Sequence, residues 1–156
     1  MNVTADELAG VVDLFGGLTR PELERALSEA AFRADGSSVD GAALEDAIED
    51  AIAEFALVRY ERDGTALLVP GPTAFPTVPD HAEDVPHILE IDRRRLDRDR
   101  LGKSTAERFV EAVDAALDGG GTDERLRQLL DVSYDVEAWA PVELTDERRR
   151  LEARLE

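Results

Sequence analysis

No cysteine occurs in the 156 residues, which excludes disulfides, thiolate metal sites, iron–sulfur clusters and a cysteine nucleophile. Histidine is limited to His81 and His87, so imidazole acid–base or metal chemistry has two residues to draw on. No serine sits in a strand–turn–helix nucleophile context. Lysine is almost missing: Lys103 stands alone beside seventeen arginines, against 36 acidic residues, for a formal net charge of −18. No apolar run approaches the ~18 residues of a membrane span, and the opening Met-Asn-Val-Thr-Ala-Asp-Glu has neither the basic nor the apolar region of a secretory leader. The expectation is a soluble, cytoplasmic protein.

What is abundant is carboxylate. Glu45/Glu49, Asp46/Asp50 and Asp50/Glu54 are like-charge pairs four residues apart, each opposing a helix by about 0.2–0.5 kcal/mol at low salt. At molar salt the Debye length falls to about 3 Å and most of that repulsion vanishes. The apolar complement is built from small residues, with 22 alanines against four isoleucines and five phenylalanines. Surface acid, scarce lysine and small core residues together suggest adaptation to a salty cytosol.

The stretch from Asp40 to Pro70 organises the chain. Asp40 is placed to cap a helix whose Leu44, Ala47, Ile48, Ala51, Ile52 and Phe55 form one stripe. Ala56–Glu61 and Ala66–Val69 are β-prone runs joined by Arg62-Asp63-Gly64-Thr65, where Asp-Gly suits a tight hairpin turn. Two helices precede them. Thr4-Ala5-Asp6-Glu7 is a capping box ahead of Leu8, Val11, Val12 and Phe15, and Gly16-Gly17 ends that helix. Thr19-Arg20-Pro21-Glu22 repeats the device ahead of Leu23, Ala26, Leu27, Ala30 and Ala31. Three helices feeding a hairpin predict an α+β, mostly α fold with a winged-helix-like module over residues 1–70.

Five of the seven prolines fall between Pro70 and Pro86, so residues 71–86 read as an irregular connection, pinned to the core by Phe75 and Val78. Ile88–Ile91 reads equally as strand or helical turn. Residues 87–156 are expected to be a helical part packed on the first module. Ser104-Thr105-Ala106-Glu107 is a third capping box, leading to Phe109, Val110, Val113, Ala116 and Leu117, and Gly119-Gly120-Gly121 closes that helix. Thr122 caps the next, with Leu126, Leu129 and Leu130 buried. Tyr134, Val136 and Trp139 lead to Pro141, and a short helix after Thr145, expected to fray, carries Leu151 and Leu155.

Winged helices commonly place the third helix in the major groove. Here residues 34–58 hold seven acidic residues and no basic one, a face that repels phosphate. The basic cluster lies elsewhere: Arg93, Arg94, Arg95, Arg98, Arg100 and Lys103 are candidate nucleic-acid contacts, with Asp92, Asp97 and Asp99 interleaved. Their bland reading, a solvated helix entry laced with ion pairs, applies also to Arg148, Arg149, Arg150 and Arg154. Leu101-Gly102-Lys103-Ser104 ends like a phosphate-binding loop but has Asp97 where the motif needs its first glycine. His81, Asp84 and His87 are spaced three apart, yet prolines surround them and no fourth ligand is evident. Tyr134 and Trp139 form a candidate interaction surface, or a packed aromatic pair.

Three segments, Glu7–Gly16 with Leu18-Thr19, Leu68-Val69-Pro70-Gly71-Pro72 with Ala74-Phe75-Pro76, and Tyr134-Asp135-Val136-Glu137-Ala138-Trp139-Ala140-Pro141, carry a resemblance. The chain is similar to an uncharacterised family of acidic proteins from halophilic archaea. The resemblance implies a halophile's cytosol and transfers no functional residue. The reading is a non-enzymatic adaptor or regulatory interaction module, with a protein partner and without cofactor or metal. The alternatives are a DNA-associated transcriptional regulator using the arginine cluster, and a small metal-dependent enzyme using His81 and His87.

Overall fold

Helix starts are the most local decisions in this chain. In the computed structural model, which describes residues 3–156, Glu7 N–H donates to Thr4 Oγ1 and Thr4 N–H to Glu7 Oε1, both at 3.1 Å, opening α1 (Ala5–Phe15). Thr19 and Glu22 form the same reciprocal pair at α2 (Arg20–Asp35). Asp40 Oδ1 accepts Ala42 N–H at 3.0 Å to begin α3 (Gly41–Ala53). Each cap satisfies backbone donors that the first helical turn leaves without partners.

The antiparallel hairpin is formed by β1 (Leu57–Arg62) and β2 (Thr65–Pro70), in a register that pairs Arg62 with Thr65. Asp63 and Gly64 both have positive φ, 52° and 79°, the backbone of a two-residue turn whose twist matches the strands. Leu18 adds a bridge to the free edge of β2: its N–H donates to Leu68 O at 3.0 Å and Leu68 N–H returns to Leu18 O at 2.7 Å. The α3 stripe buries Leu44, Ile48 and Ala51. The helix ends before Phe55, which is buried from a left-handed backbone (φ 63°) rather than from the helix itself.

Contacts divide the chain into two compact units, Met1–Leu96 and Asp97–Glu156. The core of the first is Leu8, Val11, Val12, Phe15, Leu23, Leu27 and their neighbours on α3 and the hairpin. Each leucine-sized side chain buried there contributes about 1.5–3 kcal/mol by removal from water. The proline-rich stretch belongs to this unit: Thr77 N–H donates to Asp6 O at 3.0 Å, and Gly10 makes room, since a Cβ there would stand 2.1 Å from Thr77 O. The anchors are these backbone bonds and not the apolar side chains, for Phe75 and Val78 are 80% and 40% exposed. Beyond it, Val85–Leu89 forms the short helix α4, and the change of unit falls after Leu96.

In the second unit α5 (Arg98–Ala115) starts six residues before Ser104. Asp97 caps it by accepting from Asp99 and Arg100 N–H. The Ser104–Glu107 box therefore lies mid-helix. Leu101, Thr105, Phe109 and Val113 share its buried stripe. A π-turn (Ala116–Gly120) closes α5, with Gly119 at φ 137°. Thr122 Oγ1 accepts Arg125 N–H to start α6 (Asp123–Trp139), and α7 (Thr145–Leu155) follows. Although Leu144 offers α7 no side-chain cap, Glu137 Oε2 accepts its N–H at 2.7 Å. Leu151 is fully buried, Arg150 pairs with Asp114 at 2.8 Å and Arg154 donates to Leu117 O at 2.8 Å. The helix expected to fray is tied at several points.

Candidate functional site

The basic cluster is divided between the two units. Helix α1 has no basic residue in its last turn, so its C-terminal carbonyls lack a local cation. Arg93 supplies one, donating to Asp13 O at 2.7 Å. Arg94 N–H donates to Phe15 O, also at 2.7 Å, and its guanidinium to Gly17 O and to both oxygens of Glu22 at 2.7 and 2.9 Å. Gly16 permits this approach: a Cβ there would stand 2.1 Å from Arg94 O, and its φ of 81° disfavours any side chain. The Arg94 hydrogen bond, against the opposing pull of partial burial, holds Glu22 well below its ordinary carboxylate value of 4.5, at about 2. The pair clamps the α1–α2 corner, a use of Arg94 that the sequence alone does not display.

Arg95 is exposed, and its carbonyl accepts from Arg62 at 3.4 Å. Arg98, Arg100 and Lys103 belong to the second unit, on the first two turns of α5. Arg98 lies over the Trp139 ring, 5.3 Å from its centroid. The six candidate phosphate contacts are thus three residues of one unit and three of the other, with two already committed to α1 and Glu22. Gly102 faces Ala140, whose Cβ would be 2.9 Å from a Cβ at that position. Leu101-Gly102-Lys103-Ser104 is a helix-packing element inside α5, with no loop to cradle phosphate.

Tyr134 and Trp139 do not form one platform, since five residues along a helix turn them about 140° apart. Tyr134, 56% exposed, carries the Arg148 guanidinium 4.5 Å above its ring. Arg148 also pairs with Glu137 Oε1 at 2.7 Å and reaches Ser133 Oγ at 3.4 Å. The Arg148 hydrogen bond, with the Leu144 N–H, lowers Glu137 below the usual carboxylate range. Arg148 is thus a packing element between α6 and α7 rather than part of a solvated run, while Arg150 and Arg154 are exposed. Arg149, exposed and 4.0 Å from Asp146, fits the solvated reading.

On α3 the residues Glu45, Asp46, Glu49 and Asp50 all face solvent. Arg20 of α2 donates to Glu45 at 3.1 Å and also to Glu49, whose pKa its hydrogen bond lowers. That one arginine bridges an i,i+4 like-charge pair. Asp46 and Asp50 border a groove floored by Val39, Ala43, Leu44 and Ala47. His81 and His87 are exposed, His81 with a left-handed backbone (φ 68°) in the turn before α4. Among the described residues no group of three His, Asp or Glu side chains is arranged to hold a metal ion. None of the described helices is long and apolar enough to cross a membrane.

No curated protein and no solved structure matches the sequence. A family profile does match, over residues 6–156, nearly the whole of both units, and on that extent the chain belongs to the family of unknown function DUF7109.

Proposed function

We propose that the protein is a non-enzymatic cytoplasmic interaction module, an adaptor or regulatory component of a halophile, whose first unit uses a winged-helix-like arrangement to meet protein rather than nucleic acid. The arrangement is supported by the order α1, α2, α3, β1, β2 and by the Leu18 bridge that adds a third strand-like contact to the hairpin. The observation that carries the choice of partner is the charge on α3. Glu45, Asp46, Glu49 and Asp50 line its solvent face, where phosphate docking needs cations.

The Arg93–Lys103 segment does not compensate. Arg93 and Arg94 spend their donors on α1 carbonyls and Glu22, so turning either towards phosphate breaks the corner between α1 and α2. Net charge −18 supports the salty setting, because self-repulsion of that size is relieved by screening. The test is fluorescence anisotropy of a labelled mixed-sequence duplex titrated with the protein, beside an Arg98→Ala/Arg100→Ala/Lys103→Ala variant. No binding by either form is the expected result. Binding that the triple variant abolishes would replace this reading with a DNA-associated regulator.

A further inference from the structure

Phe75 is the most exposed large apolar side chain among the described residues, at 80%, and Pro76 and Val78 beside it are also exposed. An exposed phenylalanine on a loose tail says little, but this one stands on a fixed backbone. Its N–H donates to the Asp6 carboxylate at 3.1 Å, and two residues on Thr77 N–H donates to Asp6 O. Two residues before it, Thr73 donates through Oγ1 to Glu54 O at 2.9 Å and through N–H to Phe55 O at 3.2 Å. The loop is thereby fastened to the start of α1 and to the C-terminal end of α3. Gly10 and Gly71 allow it to lie that close, since added Cβ atoms would stand 2.1 and 2.2 Å from Thr77 O and Phe55 O.

We propose that Phe75 is the anchor of the protein-binding surface and that its occupant is a partner protein with an apolar pocket rimmed by lysine or arginine. This rests on the interaction-module reading above. A rigid aromatic that buries on binding, with its backbone ordered in advance, has the character of an interface hot spot, because little conformational freedom is lost on docking. The sign of the partner follows from the surroundings. Between Arg62 and Arg93 the chain has no lysine or arginine but six acidic residues, and the loop is bonded to the end of the acidic α3. Nucleic acid and anionic lipid find no lysine or arginine in that stretch. A second copy would bring the same negative rim and a net charge of −18 of its own.

The test places the photo-crosslinker p-benzoylphenylalanine at position 75, and separately at position 46 on α3, in an extract of the protein's own cells. Crosslinked peptides are sequenced, and the captured protein is purified for titration against wild type, Phe75→Ala and Phe32→Ala, the last removing an equally apolar exposed ring at the end of α2. Expected are capture from position 75 of one protein, joined through a segment bearing lysine or arginine, and affinity that falls at least tenfold in Phe75→Ala and not in Phe32→Ala. Because Phe75 is exposed, its alanine variant should melt with the wild type. Affinity of Phe75→Ala within twofold of wild type, or crosslinking at 75 to a second copy or to an acidic segment, overturns the anchor. Capture from position 46 alone overturns the anchor and leaves the interaction-module reading standing; no capture from either position overturns both.

Discussion

Acid should loosen the α1–α2 corner through one carboxylate. Glu22 is bonded in two directions, by both nitrogens of Arg94 and by Thr19 N–H, and its pKa falls from 4.5 to about 2 on folding. At about 1.36 kcal/mol per pH unit that fall sets a ceiling of about 3.4 kcal/mol. Both side chains keep about a fifth of their surface in water, 21% and 19%, so screening brings the expected contribution to about 1–2 kcal/mol. Because the folded pKa is depressed, this stability is present above pH 4.5 and lost as pH falls through 2. Glu22→Gln keeps an acceptor for Thr19 N–H and removes the charge, which makes it the cleaner variant than alanine. Urea unfolding of both proteins at fixed KCl, from pH 7 to pH 2, gives the difference directly and cancels the other carboxylates. Wild type should lead by about 1–2 kcal/mol at pH 7, with the gap closing below pH 4.5. A gap that is constant with pH, or absent at pH 7, refutes the clamp.

Three further outcomes follow from particular contacts. Gly10→Ala should destabilise by about 1–3 kcal/mol despite alanine's better helix propensity, because its methyl meets the Thr77 backbone; a rise in melting temperature would show that the loop gives way freely. Glu137→Ala removes both the acceptor for Leu144 N–H and the partner of Arg148, and the loss of such a cap costs about 1 kcal/mol. Hydrogen exchange should then quicken in α7 and not in α1–α3, whereas unchanged α7 protection would contradict its anchoring. The melting temperature should rise steeply with KCl, since the Asp46/Asp50 and Asp50/Glu54 pairs oppose folding most at low salt and the net charge of −18 adds general self-repulsion; a flat response would remove the argument for a salty setting.

Elements fixed by neighbours within four residues were legible from sequence. The Thr4 and Thr19 boxes, the Asp40 cap and the Asp63-Gly64 turn involve partners at most three positions away, so their chemistry is visible in a string. The same logic misplaces the start of α5: Ser104–Glu107 satisfies the capping pattern, but Leu101 continues the stripe of Thr105 and Phe109 upstream, and Asp97 is the cap that acts. The roles of Arg93 and Arg94 were hidden because their partners, Asp13 and Glu22, lie 80 and 72 residues away in sequence. A run of arginines shows charge and not what the charge is bonded to. An aromatic between prolines predicts that Phe75 pins its loop to the core. The loop is held instead by Asp6, Glu54 and Phe55 backbone and side-chain oxygens, which frees the ring to face solvent.

The proposal that the first unit meets protein rather than nucleic acid rests on the charge of α3. The most direct measurement is duplex anisotropy across a KCl series for wild type and for Asp46→Arg/Glu49→Arg/Asp50→Arg, with circular dichroism confirming the fold at each salt. The account predicts no binding by wild type wherever it is folded. It predicts that the reversed helix gains binding that weakens as KCl rises, with a slope of about −0.9 per phosphate contacted. Salt-sensitive binding by the wild-type protein, or none by the reversed helix in its folded state, would contradict it.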